Sequence, residues 1–273
     1  MITFVKTRHF YQSYIDFYRL VELSNFPTIY VDELDVSKDG VYITSPMNGE
    51  WRPHLDNQDN KARNAHLILW NLERPSGSAG SVGQYAKANR KLQYERYIDE
   101  IWHSDRRLAQ ETEQRFVVLG SDEKLAVSGS YEKKYNFCHM SYQIGRRQSI
   151  YKHFDNIGPN CWPPERDDIL RKSRFALNVH QDNHPFQEPL RFALFAAYGL
   201  PILSEAIYDS YPFSDEFMVT ADYDDLVRRM NEILGDPYSH WQQIGQRAKE
   251  RMCHEFNFKR MVEQAVSESV GWR

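Results

Sequence analysis

Several things are scarce in this chain of 273 residues, and each scarcity removes a class of function. There are 3 cysteines, Cys138, Cys161 and Cys253, with no CxxC pair. That usage reads as free thiols in a reducing compartment, not as a disulfide framework or a cysteine zinc site. No stretch approaches the roughly 18 apolar residues of a membrane span, and the N-terminus carries no long apolar leader core. A soluble, cytoplasmic protein is expected. The formal net charge is only −4, so no global field drives the chain toward nucleic acid or anionic membranes. The dinucleotide fingerprint GxGxxG, the Walker A loop, HExxH, GxSxG and the kinase signatures are all missing. Ser76–Gly83 is glycine-rich but no Gly-Lys-Ser/Thr follows it, and it reads as a flexible loop.

Hydrophobic residues make up 41% and charged residues 26%, the balance of an ordinary globular protein. Aromatic content is 14%, with 17 tyrosines, most of them serving packing. Apolar runs alternate with amphipathic segments. Ile2–Lys6, Thr28–Val31, Val41–Thr44, His66–Trp70, Ile98–His103 and Arg115–Leu119 read as strands. Tyr11–Leu23, Gln84–Tyr97 and a short segment capped by Ser104 or Asp105 read as helices. Such alternation indicates parallel α/β sheets. The polar stretch Ala126–Lys134 is the best linker. The pattern then restarts: strands at Asn136–Tyr142, Phe175–Val179, Pro201–Ser204 and Phe217–Val219, and helices at Gly145–Phe154, Asp167–Ser173, Leu190–Tyr198, Tyr223–Leu234, His240–Glu255 and Phe258–Val270. Two Rossmann-like domains facing across a cleft are expected, residues 1–130 and 131–273, with the last helix able to pack back on the first.

The richest segment is Ser173–Glu205. A buried strand ends in a polar loop, an apolar helix follows, and a Gly-Leu-Pro turn leads to a second strand. In open parallel sheets, ligands bind at the carboxyl ends of strands. His180, Glu188 and Arg191 occupy the first such end and Glu205 the next. A carboxylate there can accept hydrogen bonds from the vicinal hydroxyls of a sugar or ribose. Earlier, Ser141–Arg147 follows the first strand of the second half. Gly145 permits a tight turn, and Arg146 and Arg147 carry planar donors suited to phosphate oxygens. Tyr142 lies on the same turn. The His180–His184 run superficially resembles a metal site, but Pro185 argues for a loop; no metal is expected.

A β-α-β unit with an acidic loop, a small-residue helix and a Gly-x-Pro turn resembles the donor half of GT-B glycosyltransferases, of the small bacterial and phage type related to the glycosyltransferase family 1/4 group. The resemblance covers mainly Asn136–Phe213, and the first half only by architecture. Leu194 stands where the larger retaining families carry a second glutamate. The resemblance implies transfer of a sugar from a nucleotide-activated donor, UDP-linked by expectation, to an acceptor hydroxyl, with no bound cofactor. Tyr142, Gly145, Arg146, Arg147, His180, Glu188, Arg191 and Glu205 would bind the donor. The acceptor is a glycan, a small molecule or a modified DNA base. An inverting enzyme needs a general base. Glu50, Glu73 and Asp105 follow expected parallel strands of the first half and are the candidates, with His103 and His54 behind them. A non-catalytic nucleotide- or sugar-binding protein is the alternative.

Overall fold

The computed structural model describes residues 1–8, 14–45, 50–58, 61–72, 97–126, 129, 131–181, 185–214 and 216–269. Two compact units emerge. The first comprises β1 (Ile2–Lys6), α1 (Ile15–Leu23), β2 (Thr28–Tyr30), β3 (Gly40–Thr44), α2 (Trp51–Asp56), β4 (Ala65–Asn71), β5 (Glu100–His103), α3 (Arg106–Glu111) and β6 (Arg115–Phe116). The second, Gly120–Asn257, comprises β7 (Tyr135–Cys138), α4 (Arg146–Tyr151), α5 (Glu165–Arg171), β8 (Ser173–Asn178), α6 (Pro189–Ala197), β9 (Ile202–Glu205), β10 (Met218–Ala221), α7 (Leu226–Gly235) and α8 (Tyr238–Glu250). The final helix, α9 (Phe258–Ser269), returns to the first unit. The glycine-rich Ser76–Gly83 and the expected helix over Gln84–Tyr97 lie almost wholly outside the described residues.

The first unit holds a six-stranded sheet in the order β2-β1-β3-β4-β5-β6, with every pair parallel. Its strands are apolar on both faces because a parallel sheet is covered on both. One face packs Val5, Tyr42, Leu67 and Leu69 against Trp51 and Leu55 of α2. On the other, Phe258 of α9 stacks on Trp70 at a centroid distance of 5.7 Å and meets Phe17 of α1 edge-on at 6.0 Å. All three rings are fully buried, which explains why α9 joins this unit although it is last in sequence. Asp105 caps α3 by accepting the Leu108 N–H at 2.7 Å, as its position before the helix leads one to expect.

The second unit holds a four-stranded parallel sheet, β10-β9-β8-β7. Asn178 pairs with Ser204, and Glu205 with Ala221, so three strand ends fall in line. α6 is buried almost all round, from Pro189 through Ala197 with one exception. That explains a composition apolar at every position but Arg191. β7 is shorter than the strand expected over Asn136–Tyr142. The chain leaves the sheet at His139, whose ring stacks on Tyr151 of α4 at 4.4 Å. α8 runs on into one wider π turn, Arg251–Glu255.

α8 crosses the turn between α6 and β9 at Gly245. A Cβ there would lie 2.8 Å from the Pro201 nitrogen and closer still to the Gly199 carbonyl oxygen. Both neighbours are backbone, and Gly199 is itself held at φ +64°. Gly245→Ala should therefore cost about 1–3 kcal/mol by overpacking, read as a lower denaturant midpoint. Gly235→Ala, where nothing lies within 4 Å, is the control and should leave the midpoint nearly unchanged.

Candidate functional site

The carboxyl ends of β7, β8 and β9 bring together most of the residues singled out from the sequence. Gly145, at φ +54°, turns the chain into α4 and presents Arg146 and Arg147. The Arg146 guanidinium forks onto Glu205 at the end of β9: Nη2 lies 2.6 Å from Oε1 and Nη1 3.2 Å from Oε2. It also lies over the Tyr223 ring, 4.0 Å from the centroid. Arg147 is buried; its Nε donates to the Val179 carbonyl at 2.8 Å, and Nη2 lies 3.6 Å from Glu188. Glu188 precedes Pro189 at the start of α6, and its side chain makes no capping hydrogen bond. Its carboxylate instead meets Arg191, one turn along, at 2.6 Å. Arg191 also donates to Asn178 at the end of β8. Glu188 is thus shared by two largely buried arginines and keeps a third of its side chain open to solvent.

Two histidines complete the cluster in neutral form. Burial pushes the His139 ring down to about 4, and the charges of Arg191 and Arg147 push the same way. The Ser141 N–H faces its Nδ1 at 3.4 Å, and the Gln143 side-chain amide nitrogen lies 3.0 Å from its Nε2. Burial likewise lowers the pKa of His180, with Glu205 opposing. The His180 backbone N–H donates to Glu205 Oε2 at 2.9 Å, and its Nε2 lies 3.0 Å from the Ala206 carbonyl.

Arg146, Arg147, His180, Glu188, Arg191 and Glu205 therefore form one web, while Tyr142 stands on the adjoining turn, 63% exposed. Arg147 is buried and bound to the Val179 carbonyl. Arg146 is the more open cation. Sequence reading missed His139, Asn178 and Tyr223. His139 was hidden by the overlong β7, and nothing in the spacing of Tyr223 from Arg146 shows that they stack. In the first unit, Glu50 accepts the Arg8 N–H at 3.1 Å. Asp105 is buried as the cap of α3. His103 is buried, and desolvation pushes its pKa to about 4. Glu73 lies outside the described residues, as do Asp182 and His184. Among the described residues no group of three or more His, Cys, Asp or Glu is arranged to hold a metal ion.

His103 and His139 make the fold acid-sensitive. Both titrate near 4 in the folded chain against an ordinary value of 6.5. As pH falls below 6.5, the unfolded chain takes up protons first. The stability these rings contribute is complete above that value and is lost toward pH 4, of order 1–3 kcal/mol each. The melting temperature should drop steadily between pH 7 and 5, and His139→Gln should shallow that drop.

With this geometry established, known proteins give the comparison. Residues 103–267 match the model of the glycosyl transferase-like family, more than half of the chain and the whole of the second unit. No curated protein sequence matches. Among solved structures, TarM superposes with a TM-score of 0.56 at 10% identity over 93% of this chain. This chain spans only 57% of the length of TarM. Anabaena Alr3699/HepE in complex with UDP and glucose gives a TM-score of 0.63 at 10% identity, covering 97% of this chain and 99% of that one. An alpha-glucosyltransferase in complex with UDP and a mismatched 13-mer DNA gives 0.56 at 9% identity, covering 96% and 99%. At such identities the likeness concerns the fold alone. By the extent of the family match and by its two parallel-sheet units, this chain is a member of the glycosyl transferase-like family with the GT-B fold.

Proposed function

We propose that this protein is a glycosyltransferase that moves a sugar from a nucleotide-activated donor to an acceptor hydroxyl, with Gly120–Asn257 as its donor-binding unit. One observation carries the reading: three arginines and two carboxylates converge at the carboxyl ends of β7, β8 and β9, the place where open parallel sheets bind ligands. The chemistry makes two demands. As the acceptor oxygen approaches the anomeric carbon, the bond from that carbon to the diphosphate oxygen breaks, and negative charge grows on the leaving group. A preorganised cation lowers the barrier most where that charge appears. Arg146 is the cation with the most solvent access in the web and takes this role, beside the backbone after Gly145. The sugar also needs a fixed acceptor for its hydroxyls. Glu188 supplies it, with Arg147 and Arg191 holding the carboxylate in place.

The HepE structures solved with UDP and with UDP-glucose support a uridine diphosphate sugar as donor. The first unit would present the acceptor. Of the proposed bases there, Asp105 accepts the Leu108 N–H as a helix cap, and Glu50, which accepts the Arg8 N–H, is the other described candidate. A net charge of −4 favours a glycan or small-molecule hydroxyl over DNA. No described helix is long and apolar enough to cross a membrane. Three free cysteines support a reducing, cytoplasmic setting.

Adding UDP should raise the melting temperature by mass action, and UDP-glucose should be hydrolysed slowly without an acceptor. Arg146→Ala should lower kcat/KM by roughly 10- to 100-fold, the worth of a lost charge-assisted contact. Arg147→Ala should lower the melting temperature more than Arg146→Ala does, because it strips a buried carbonyl and Glu188 of a partner. Absence of both binding and hydrolysis across UDP-, GDP-, ADP-, CMP- and dTDP-sugars would remove the transferase reading.

A further inference from the structure

Arg146 and Glu205 stand at neighbouring strand ends where a donor would need them, yet here they occupy each other. The fork uses both terminal guanidinium nitrogens and both carboxylate oxygens, at 2.6 and 3.2 Å. Glu205 Oε2 additionally accepts the His180 N–H at 2.9 Å. Three of the roughly four acceptor positions of the carboxylate are therefore filled from within the protein. The two partners differ in exposure: the Glu205 side chain is 9% accessible and that of Arg146 is 23%. Tyr223 fixes the arginine from the other side. Its hydroxyl donates to the Arg146 carbonyl at 2.9 Å, and its ring lies under the guanidinium. The backbone of Arg146 is thus anchored, and its guanidinium rests on an aromatic plate with Nη1 also 3.4 Å from the His180 carbonyl oxygen.

We infer that the Arg146–Glu205 pair is a latch, opened by a ligand that carries an anionic group and adjacent hydroxyls together, as a nucleoside diphosphate does. This rests on the donor-binding reading above. An anion alone can draw Arg146 away, but it strands a buried carboxylate with only the His180 N–H, and breaking one side of a buried pair is costly. A hydroxyl compound alone meets a carboxylate whose acceptor positions are nearly full. A ligand bearing both groups replaces both lost partners at once: its anion takes the guanidinium and its hydroxyls donate to Glu205. The consequence is selectivity. Free pyrophosphate and phosphate would otherwise compete for any exposed arginine at the site, and the latch weakens them while leaving the intact nucleotide favoured.

Calorimetric titration of the full chain with inorganic pyrophosphate and with UDP tests this. Glu205→Gln keeps the size and the oxygen that accepts from His180 but removes the charge holding Arg146. It should bind pyrophosphate roughly tenfold more tightly than the wild type and UDP no more tightly, so the preference for UDP collapses. The gain should vanish in Arg146→Met/Glu205→Gln measured against Arg146→Met, which separates a latch from the mere removal of a negative charge. Equal or weaker pyrophosphate binding by Glu205→Gln, an undiminished gain without Arg146, or no pyrophosphate binding by either protein would overturn the proposal. Should Glu205→Gln melt early, the wild type decides instead. The Arg146 Nε–H resonance, assigned by its loss in Arg146→Met, should move on adding UDP and stay in place with uridine. A fixed resonance in the UDP complex overturns the latch. Turnover of UDP-glucose without the pyrophosphate gain would sink the latch and spare the transferase reading. A gain without turnover of any nucleotide sugar would do the reverse.

Discussion

Parallel pairing is the constraint on which the rest of this structure depends. It sends the carboxyl ends of β7, β8 and β9 to one side of the sheet, and it forces each connection to return through a helix on a face. The loops that leave those ends therefore meet, although they come from sequence positions as distant as Gly145, His180 and Glu205. The register is tight enough to align Asn178 with Ser204 and Glu205 with Ala221. Side chains at the next positions are then placed by backbone geometry before any of them interacts.

Electrostatics act on that frame. Five charged groups and two neutral histidines share a small, largely buried region, and isolated charges there would be costly. The chain meets this by pairing: Arg146 with Glu205, and Arg147 and Arg191 with Glu188. Asn178 and the Val179 carbonyl accept further guanidinium hydrogens. His139 and His180 stay neutral because a fourth and fifth positive charge beside these three arginines would be opposed by burial and by repulsion. One cation surplus remains among the charged groups, a sign that suits an anionic ligand. The cores beneath serve the web by rigidity. α6, sunk into the unit, carries Arg191 and begins directly after Glu188, and Gly245 lets α8 press against its terminal turn.

The first unit shows the same economy with different chemistry. Its strand-end groups Asn71, His103 and Ser104 are neutral and hydrogen-bonded, with Asn71 Nδ2 lying 3.1 Å from His103 Nδ1 and Ser104 Oγ bridging Trp70 and Val117. Asp105 spends its carboxylate on a helix cap. A carboxylate in a strand-end loop thus has two physical uses, capping and catalysis, and sequence position cannot separate them.

What the sequence determined by itself was the class of fold and the region of chemistry. Apolar runs spaced by amphipathic helices require parallel sheets, and a strand followed by a polar loop, Glu188-Pro189 and an apolar helix marks a strand end with charge. Those are local signals, carried by neighbours in the chain. Tertiary structure alone decided who holds whom. That Arg147 is buried against Val179, that Arg146 stacks on Tyr223 and grips Glu205, and that His139 leaves the strand to lie on Tyr151 all depend on contacts between distant segments. That the last helix could return to the first unit was legible in the sequence, but that Phe258 meets Trp70 and Phe17 there was not. Hydrophobic periodicity reports which residues turn inward; it does not report which inward residues meet, because that depends on register and crossover geometry that no single segment contains.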